Sequence, residues 1–407
     1  MSRDEYNTRM EVPMFLYKQL DDPQQILPLA TSAFALRPIE QGAADGWLAS
    51  SVKHGCELYG VYEDDALLAG FMLYDFQMRL RSCVVPMGGI GLLCSRLDAR
   101  GKGAVRFMIQ NSLDTMMQKG QVVCVLDPFD ETFYRHYGWE KFSRCQIIEI
   151  SPNLLKVPER LGAGITATDL PFPDEASMSF YNQYAAEHYT LAQRTQREWE
   201  SRTQILSWST DTAARGVVKF FRNECVAGLM GYDLTRKDGE DRPTFHANLL
   251  ACEDEAVFQE MLRYLRQLSH QVATLRICLP LDRELWPYLS DRPAKSTIRD
   301  LFMIRIVSLD LLDGLRMDAP DMSLGVDVVD EQAPWNHGVW DLTITSGVLR
   351  VQRGQRADLR CGIGALSSVV SGFSSFAQLI ASRHIESLDT YQGQDLPKTV
   401  TFLADYF

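Results

Sequence analysis

Arg100-Gly101-Lys102-Gly103-Ala104-Val105 stands between the apolar run Gly89 to Cys94 and a helical pattern, Val105 to Met117. The order strand, glycine loop, helix start aims free backbone N–H groups and the positive end of a helix dipole at one spot. A pyrophosphate suits that spot, so the segment points to a nucleotide-like cofactor. The commoner phosphate loops are excluded, because neither Gly-x-x-x-x-Gly-Lys followed by Ser or Thr nor three spaced dinucleotide-binding glycines occurs. Alone, the string also fits a plain strand-to-helix turn.

Working outward, residues 23–37 and 40–53 read as helices, and 56–63 with 66–78 as strands joined by the acidic turn Glu63-Asp64-Asp65. A strand over 84–95, a helix over 103–119, a strand from Val122 to Leu126 and the segment Phe133 to Phe142 complete an α/β layer that stops near Pro152. A repeat marks a boundary there. Leu68-Ala-Gly-Phe-Met-Leu-Tyr-Asp-Phe76 returns as Val226-Ala-Gly-Leu-Met-Gly-Tyr-Asp-Leu234, identical at five of nine positions. The second copy also leads into a strand (244–252), a helix (254–270) and a strand (273–279). Only Glu253 separates that strand from its helix, so the second copy has no cofactor loop, and Glu253, Asp254 and Glu255 read as helix caps.

A third region from about Asp300 has strand-like runs at 301–307, 324–329, 338–342 and 348–353, then helices at 363–371 and 374–382. It ends Thr399-Val-Thr-Phe-Leu-Ala-Asp-Tyr-Phe407. An apolar aromatic ending predicts a docked C-terminus, since termini otherwise fray into solvent. The expected domains are 1–152, 153–295 and 296–407, in a chain of 407 residues too long for one core.

Composition narrows the function. A formal charge of −12 argues against nucleic acid, which demands clustered Lys and Arg, and favours cationic small molecules. Nine cysteines with no C-x-x-C pair and no metal-like cluster read as buried apolar residues in a reducing compartment, without zinc or a disulfide scaffold. No run reaches the roughly 18 apolar residues of a membrane span and the start has no signal-like apolar stretch, so the expectation is a cytoplasmic protein without membrane contact.

The remaining loop pattern, Arg-x-x-Gly-x-small, resembles the pyrophosphate loop of the GNAT acyltransferases, which grip coenzyme A, with Val105 where many members carry Gly or Ala. Acetyl transfer to an amine needs two proton movements: the ammonium must lose one and the thiolate of coenzyme A must gain one. A phenol of pKa near 10 can supply the second. Phe133-Tyr134-Arg135-His136-Tyr137-Gly138-Trp139 offers Tyr134 or Tyr137, both equally readable as packing aromatics, while His136 reads as a surface or capping residue.

Gly89 to Gly138, the duplication, Arg194-Thr-Gln-Arg-Glu-Trp199, Pro334-Trp335-Asn336, Ala357-Asp358-Leu359 and Phe407 together resemble the Eis (enhanced intracellular survival) family of acetyltransferases. The resemblance covers essentially the whole chain. It implies an α/β (α+β) protein with two tandem GNAT-like domains, the second degenerate, followed by a sterol-carrier-protein-like α/β domain. It implies Tyr134 as general acid, the first Tyr of the family's Tyr-x-x-aromatic-Gly-aromatic string, and the terminal carboxylate of Phe407 as base. It also implies acetyl-CoA contacts from Leu93, Cys94 and Ser95 by backbone, from Arg100, Gly101, Lys102, Gly103, Ala104, Val105 and Arg106 around the pyrophosphate, and from Phe129 and Asp130, where the family pattern has Ser and Glu. Phe34, Trp47, Leu92 and Tyr406 would line the amine site. Leu36 and Tyr406 stand where acids are usual, with Glu40 and Asp75 as candidate substitutes, although Asp75 recurs as Asp233 in the second copy.

The expected function is acetyl-CoA-dependent N-acetylation of primary amines on cationic, aminoglycoside-like small molecules or on lysine side chains, by direct transfer in a ternary complex. No metal is called for, and Cys94 is a strand residue, not a nucleophile. The family suggests a trimer-based homo-oligomer or hexamer. Two alternatives stand beside it: a lipid or hydrophobic-ligand binding protein regulated by coenzyme A, with Phe373, Phe376 and Ile380 lining its pocket, and an enzyme using a longer acyl group, with room at Gly88, Gly89 and Gly91.

Overall fold

The computed structural model describes residues 15–36, 38–157, 164–204, 212–237 and 239–404. From the N-terminus run β1 (Phe15–Gln19), α1 (Leu27–Phe34), α2 (Pro38–Lys53), β2 (Glu57–Glu63), β3 (Ala66–Leu80), β4 (Cys83–Ser95), α3 (Ala104–Gln118), β5 (Val123–Leu126), α4 (Glu131–His136) and β6 (Glu140–Lys141). Next come β7 (Arg144–Ile150), β8 (Ile165–Leu170), α5 (Glu175–Glu187), β9 (Ala192–Gln193), α6 (Gln196–Gln204), β10 (Thr212–Arg222), β11 (Cys225–Thr235), β12 (Thr244–Cys252), α7 (Glu255–Gln267) and β13 (Thr274–Leu279). The last third holds β14 (Lys295–Asp300), β15 (Met303–Ile306), β16 (Met322–Val329), β17 (Gly338–Thr345), β18 (Val348–Arg353), β19 (Leu359–Gly362), α8 (Ile363–Ser371), α9 (Phe376–Ala381) and β20 (Ile385–Ser387).

These strands form three sheets, in the orders β1-β2-β3-β4-β5-β15-β6 with β9 on β3, β14-β7-β13-β12-β11-β10-β8, and β18-β17-β16-β19-β20. The first two share one plan. In the first, β4 runs parallel to β5 over Met87–Ile90 and Val123–Leu126; in the second, β12 runs parallel to β13 over Thr244–Ala247 and Thr274–Ile277. Each has an amphipathic helix between those strands. α3 buries Ala104, Met108, Ile109, Ser112, Leu113 and Met116, and α7 buries Val257, Phe258, Met261, Leu262 and Leu265, the spacing of one helical face. The repeated Asp has a structural partner in each copy: Asp75 accepts from Lys119 at 2.9 Å and from Gln121, and Asp233 accepts from Asn248 at 2.8 Å and from Arg215. The shared pattern of partners favours a structural role for Asp75.

The sheets do not part where the sequence suggests. β7 lies before residue 152 yet pairs with β13 and β14 of the second sheet, whereas β15 lies after residue 296 yet inserts between β5 and β6 of the first. The reason is burial: Met303–Ile306 is buried at every position, and only a site interior to a sheet with both faces covered satisfies such a strand. The third sheet packs α8 against β15 and β6, so the third unit is seated on the strand that closes the first sheet. Phe376 is fully buried in this shared core, with Ile380 packed against it, and Phe373 lies under the Arg144 guanidinium at 5.0 Å. Among the described residues these three side chains are thus engaged in packing.

The chain's last described residues are threaded into the junction. Thr399 N–H donates to Gly372 O at 2.9 Å, Arg144 N–H to Thr401 O at 3.3 Å, Thr190 N–H to Phe402 O at 3.3 Å and Leu403 N–H to Ser143 Oγ at 3.0 Å. Phe402 and Leu403 are buried there. No described helix is long and apolar enough to cross a membrane.

Candidate active site

The site begins at a fault in β4. Gly70 pairs with Cys94 and Met72 with Gly91, so Leu92 and Leu93 together face the single residue Phe71. That is a β-bulge, and Leu92 takes the left-handed φ of +50° it requires. The extra residue splits the side chains: Leu93 packs toward α3 and Leu92 toward α1 and α2. Pairing between β4 and β5 ends at Ile90 and Leu126, while β4 continues to Ser95. The two strands therefore fork, and Leu92 to Ser95 face the opening with half-buried side chains, except Cys94 at 2% exposure.

β4 leads into Arg96–Gly103 and then α3. Gly101 and Gly103 hold φ of +77° and +90°, and Gly103 ends the loop with no side chain capping the helix. The first N–H groups of α3 are thus left for a ligand, with Arg100, Lys102 and Arg106 exposed around them. The second copy makes the contrast: Asp254 caps α7 by accepting from Val257 N–H at 3.1 Å and is itself clamped by Arg222 at 2.7 and 2.8 Å, so a carboxylate already occupies the anion position. Its bulge nevertheless survives, since Gly231 pairs with Leu249 and Tyr232 with Ala247 around the extra Asn248. Those donors fit the pyrophosphate of acetyl-CoA, and the fork fits its extended arm.

Across the fork from the loop stands α4, capped by Asp130, whose carboxylate accepts from Phe133 N–H at 3.1 Å. Phe129 is 65% exposed, with its ring 5.4 Å from that of Tyr134. Tyr134 is buried and packed edge-on against Phe133 at 5.1 Å and Trp139 at 6.3 Å. Burial, with the nearby Asp127 and Cys124, pushes its pKa well above the ordinary tyrosine value. Tyr137 is half-buried and His136 is exposed against it. Cys94 donates its thiol to Gly70 O at 3.7 Å, and burial pushes its pKa up to about 12, which suits a strand residue and not a nucleophile. On the α1–α2 side, Trp47 is buried and Phe34 exposed. Tyr406 and Phe407 lie outside the described residues, as does the side chain of Glu40.

Asp127 escaped the sequence reading. It follows β5 directly, at the point of the fork. Solvent reaches the carboxylate and it has no hydrogen bond or ion pair among the described residues. The walls of the recess nevertheless raise its pKa, an effect partly offset by Arg299. The signal that could have found it is an acid placed at the carboxyl end of a buried strand, Val123-Cys-Val-Leu-Asp127, where α/β folds gather their ligands.

Residues 17–142 match the acetyltransferase (GNAT) domain family, residues 191–306 a second acetyltransferase (GNAT) domain family, and residues 311–400 the sterol carrier protein domain family. Comparison with curated proteins finds no significant match. Among solved structures, the chain is similar to a GCN5-related N-acetyltransferase from Anabaena variabilis (18% identity, 97% of this chain and 100% of that one, TM-score 0.82). It is also similar to a probable N-acyltransferase from Enterococcus faecalis (22%, 97% and 100%, TM-score 0.79) and to Eis1 from Mycobacterium abscessus (15%, 97% and 100%, TM-score 0.74). The chain thus holds two acetyltransferase (GNAT) domains in tandem with a sterol carrier protein domain behind them, a three-part fold that it shares with these solved structures.

Proposed function

We propose that the protein transfers the acetyl group of acetyl-CoA directly to a primary amine of a cationic small molecule or a lysine side chain. The observation that carries this reading is the fork between β4 and β5, with an uncapped helix N-terminus at one end and the buried Tyr134 phenol across it. Acetyl-CoA supplies the activated thioester. The exposed Arg100, Lys102 and Arg106 and the first N–H groups of α3 would neutralise its phosphates, and the backbone of Leu93 to Ser95 would align its arm. As the amine nitrogen bonds to the acetyl carbon and the carbon–sulfur bond breaks, Tyr134 donates its proton to the leaving sulfur. The Phe407 α-carboxylate removes the proton from the ammonium. With an ordinary pKa near 3.5 it is a weak base and works through water. Asp127 supports the choice of a cationic acceptor, because a carboxylate without a partner at the fork would be neutralised by an incoming ammonium. The resemblance also supports a trimer-based homo-oligomer, which sedimentation reads directly.

The deciding experiment follows amine-dependent thiol release from acetyl-CoA over aminoglycosides, polyamines and lysine peptides, for the wild type and a variant extended by two residues beyond Phe407. Loss of release in the extended variant, with coenzyme A still bound, is the expected result. Release that survives the extension removes the terminal carboxylate from catalysis. Gly103→Ala tests the cofactor side: the added Cβ has room, with Phe15 at 4.0 Å, but φ of +90° strains it. Its dissociation constant for coenzyme A, measured by calorimetry, should rise about tenfold, and an unchanged value would detach this glycine from the cofactor.

A further inference from the structure

Behind α4 lies a buried cation that acetyl transfer as described above does not use. Arg305 on β15 is fully buried, and its Nη2 donates to both carboxylate oxygens of Asp330, at 2.7 and 2.6 Å. Its Nη1 donates to Tyr137 O at 2.6 Å, and its guanidinium lies 5.4 Å from the Trp139 ring centre. Tyr137 closes α4, and both its N–H and that of Trp139 donate to Tyr134 O, at 3.0 and 3.1 Å. The turn is fitted around the guanidinium: Gly138 has φ of +88°, and a Cβ there would fall 1.7 Å from Arg305 Nη1.

Asp330 belongs to the third domain and is itself fixed. It accepts from the N–H groups of Gln332 and Ala333 at 3.1 Å each and from Asn336 Nδ2 at 3.0 Å. Asn336 and Trp335 both donate to Val307 O, at 3.1 and 2.9 Å. The same loop reaches α3 through Gln332 to Gln110 at 3.3 Å and Glu331 to Arg106 at 3.5 Å. From the other side Gly364, at the start of α8, sits so close that a Cβ on it would lie 3.1 Å from Gly138 O. The turn after Tyr134 is thus gripped from two directions by the third domain.

A buried ion pair of this kind is a poor way to gain stability, because apolar residues of similar volume usually serve as well or better. Here Arg305 Nε is buried and has no partner among the described residues. What the pair does supply is geometry: a planar fork that fixes one carboxylate and one carbonyl at once. We infer that Arg305 and Asp330 are positioning residues for acetyl transfer, holding the Tyr137–Gly138 turn so that the Tyr134 phenol meets the leaving sulfur. The inference rests on Tyr134 being the general acid. The sterol-carrier-like domain then serves catalysis by a second route, separate from its terminal carboxylate.

The test compares Arg305→Met/Asp330→Leu and the milder Arg305→Lys with the wild type. Melting temperature, coenzyme A affinity, KM and kcat are measured, with fluorotyrosine NMR in which the Tyr134 resonance is assigned by Tyr134→Phe. The expected double variant is folded, binds coenzyme A and keeps its KM for acetyl-CoA, yet has kcat lower by on the order of a hundredfold and a displaced Tyr134 resonance. If the double variant does not fold, Arg305→Lys decides: it keeps the charge on Asp330 without the fork, and a smaller fall in kcat with a displaced resonance is expected. Wild-type kcat and an unmoved resonance in a folded variant overturn the inference. Should the wild type itself acetylate no amine, the resonance still answers. Displacement would keep the mechanical link while the transferase reading falls, and no displacement would sink the link as well.

Discussion

Tyr134→Phe is expected to lower kcat for amine acetylation by on the order of 10²- to 10⁴-fold, the range of a lost general acid, with coenzyme A affinity unchanged because the ring and its packing remain. The pH profile carries the sharper signature. Burial raises the phenol's pKa, so the folded protein keeps this proton where a free tyrosine, with pKa about 10, begins to lose it. The wild-type rate should therefore rise with pH as the amine deprotonates and show no falling limb below about pH 10. A falling limb near neutrality that disappears in Tyr134→Phe would mean that the phenol is not shielded as described. The same sign governs stability: below the unfolded pKa both states are neutral, and above it only the unfolded chain ionises, so this contribution weakens as the solution turns alkaline.

Arg81→Met should be strongly destabilising, although Arg81 lies in the turn after β3, far from the fork. Its side chain, 4% exposed, ends the hairpin between β3 and β4 and donates to Val370 O at 2.7 Å, Val369 O at 2.6 Å and Pro397 O at 2.6 Å. Two of these carbonyls belong to the last turn of α8, where a cation also complements the helix dipole. Burial lowers the guanidinium pKa to about 10, which leaves it charged at neutral pH. Methionine would fill the volume and take the donor from Val370 O and Pro397 O, while Val369 O keeps the Gly372 N–H at 3.0 Å, at a cost on the order of 2–5 kcal/mol. Because Pro397 lies six residues before Leu403, the tail should loosen first. Limited proteolysis should cut near residues 389–398, and acetylation should fall while coenzyme A still binds. A variant as protease-resistant and active as the wild type would show that the contacts of Thr399, Thr401, Phe402 and Leu403 hold the tail without Arg81.

Much of this was legible in the chain. The Arg100–Val105 string reads as a strand-to-helix turn because its glycines sit where positive φ is needed, and the copy at Val226–Leu234 reveals the second sheet because period-two burial preserves a strand's apolar positions. Asp254 reads as a cap from its place before an amphipathic helix. The traffic between sheets was not legible: Met303–Ile306 looks like any buried strand, and nothing local says that it pairs with Val123–Leu126 across a whole domain. Arg305 was hidden for the same reason, since an arginine within an apolar run declares its partner only when Asp330 is brought to it. Asp127 went unseen because a single acid after a strand acquires meaning only from the fork beside it.

The crossing of β14 into the second sheet and β15 into the first has a consequence for biogenesis. As the chain leaves the ribosome, every helix and strand of the cofactor-binding unit up to β6 emerges before the strand that must lie between β5 and β6 exists. Until Met303–Ile306 arrives, β5 presents an open edge, the kind of surface that recruits foreign strands. Nascent intermediates should therefore depend on chaperones over that interval, and a gene fragment ending near residue 152 should yield an aggregating product, not a small acetyltransferase.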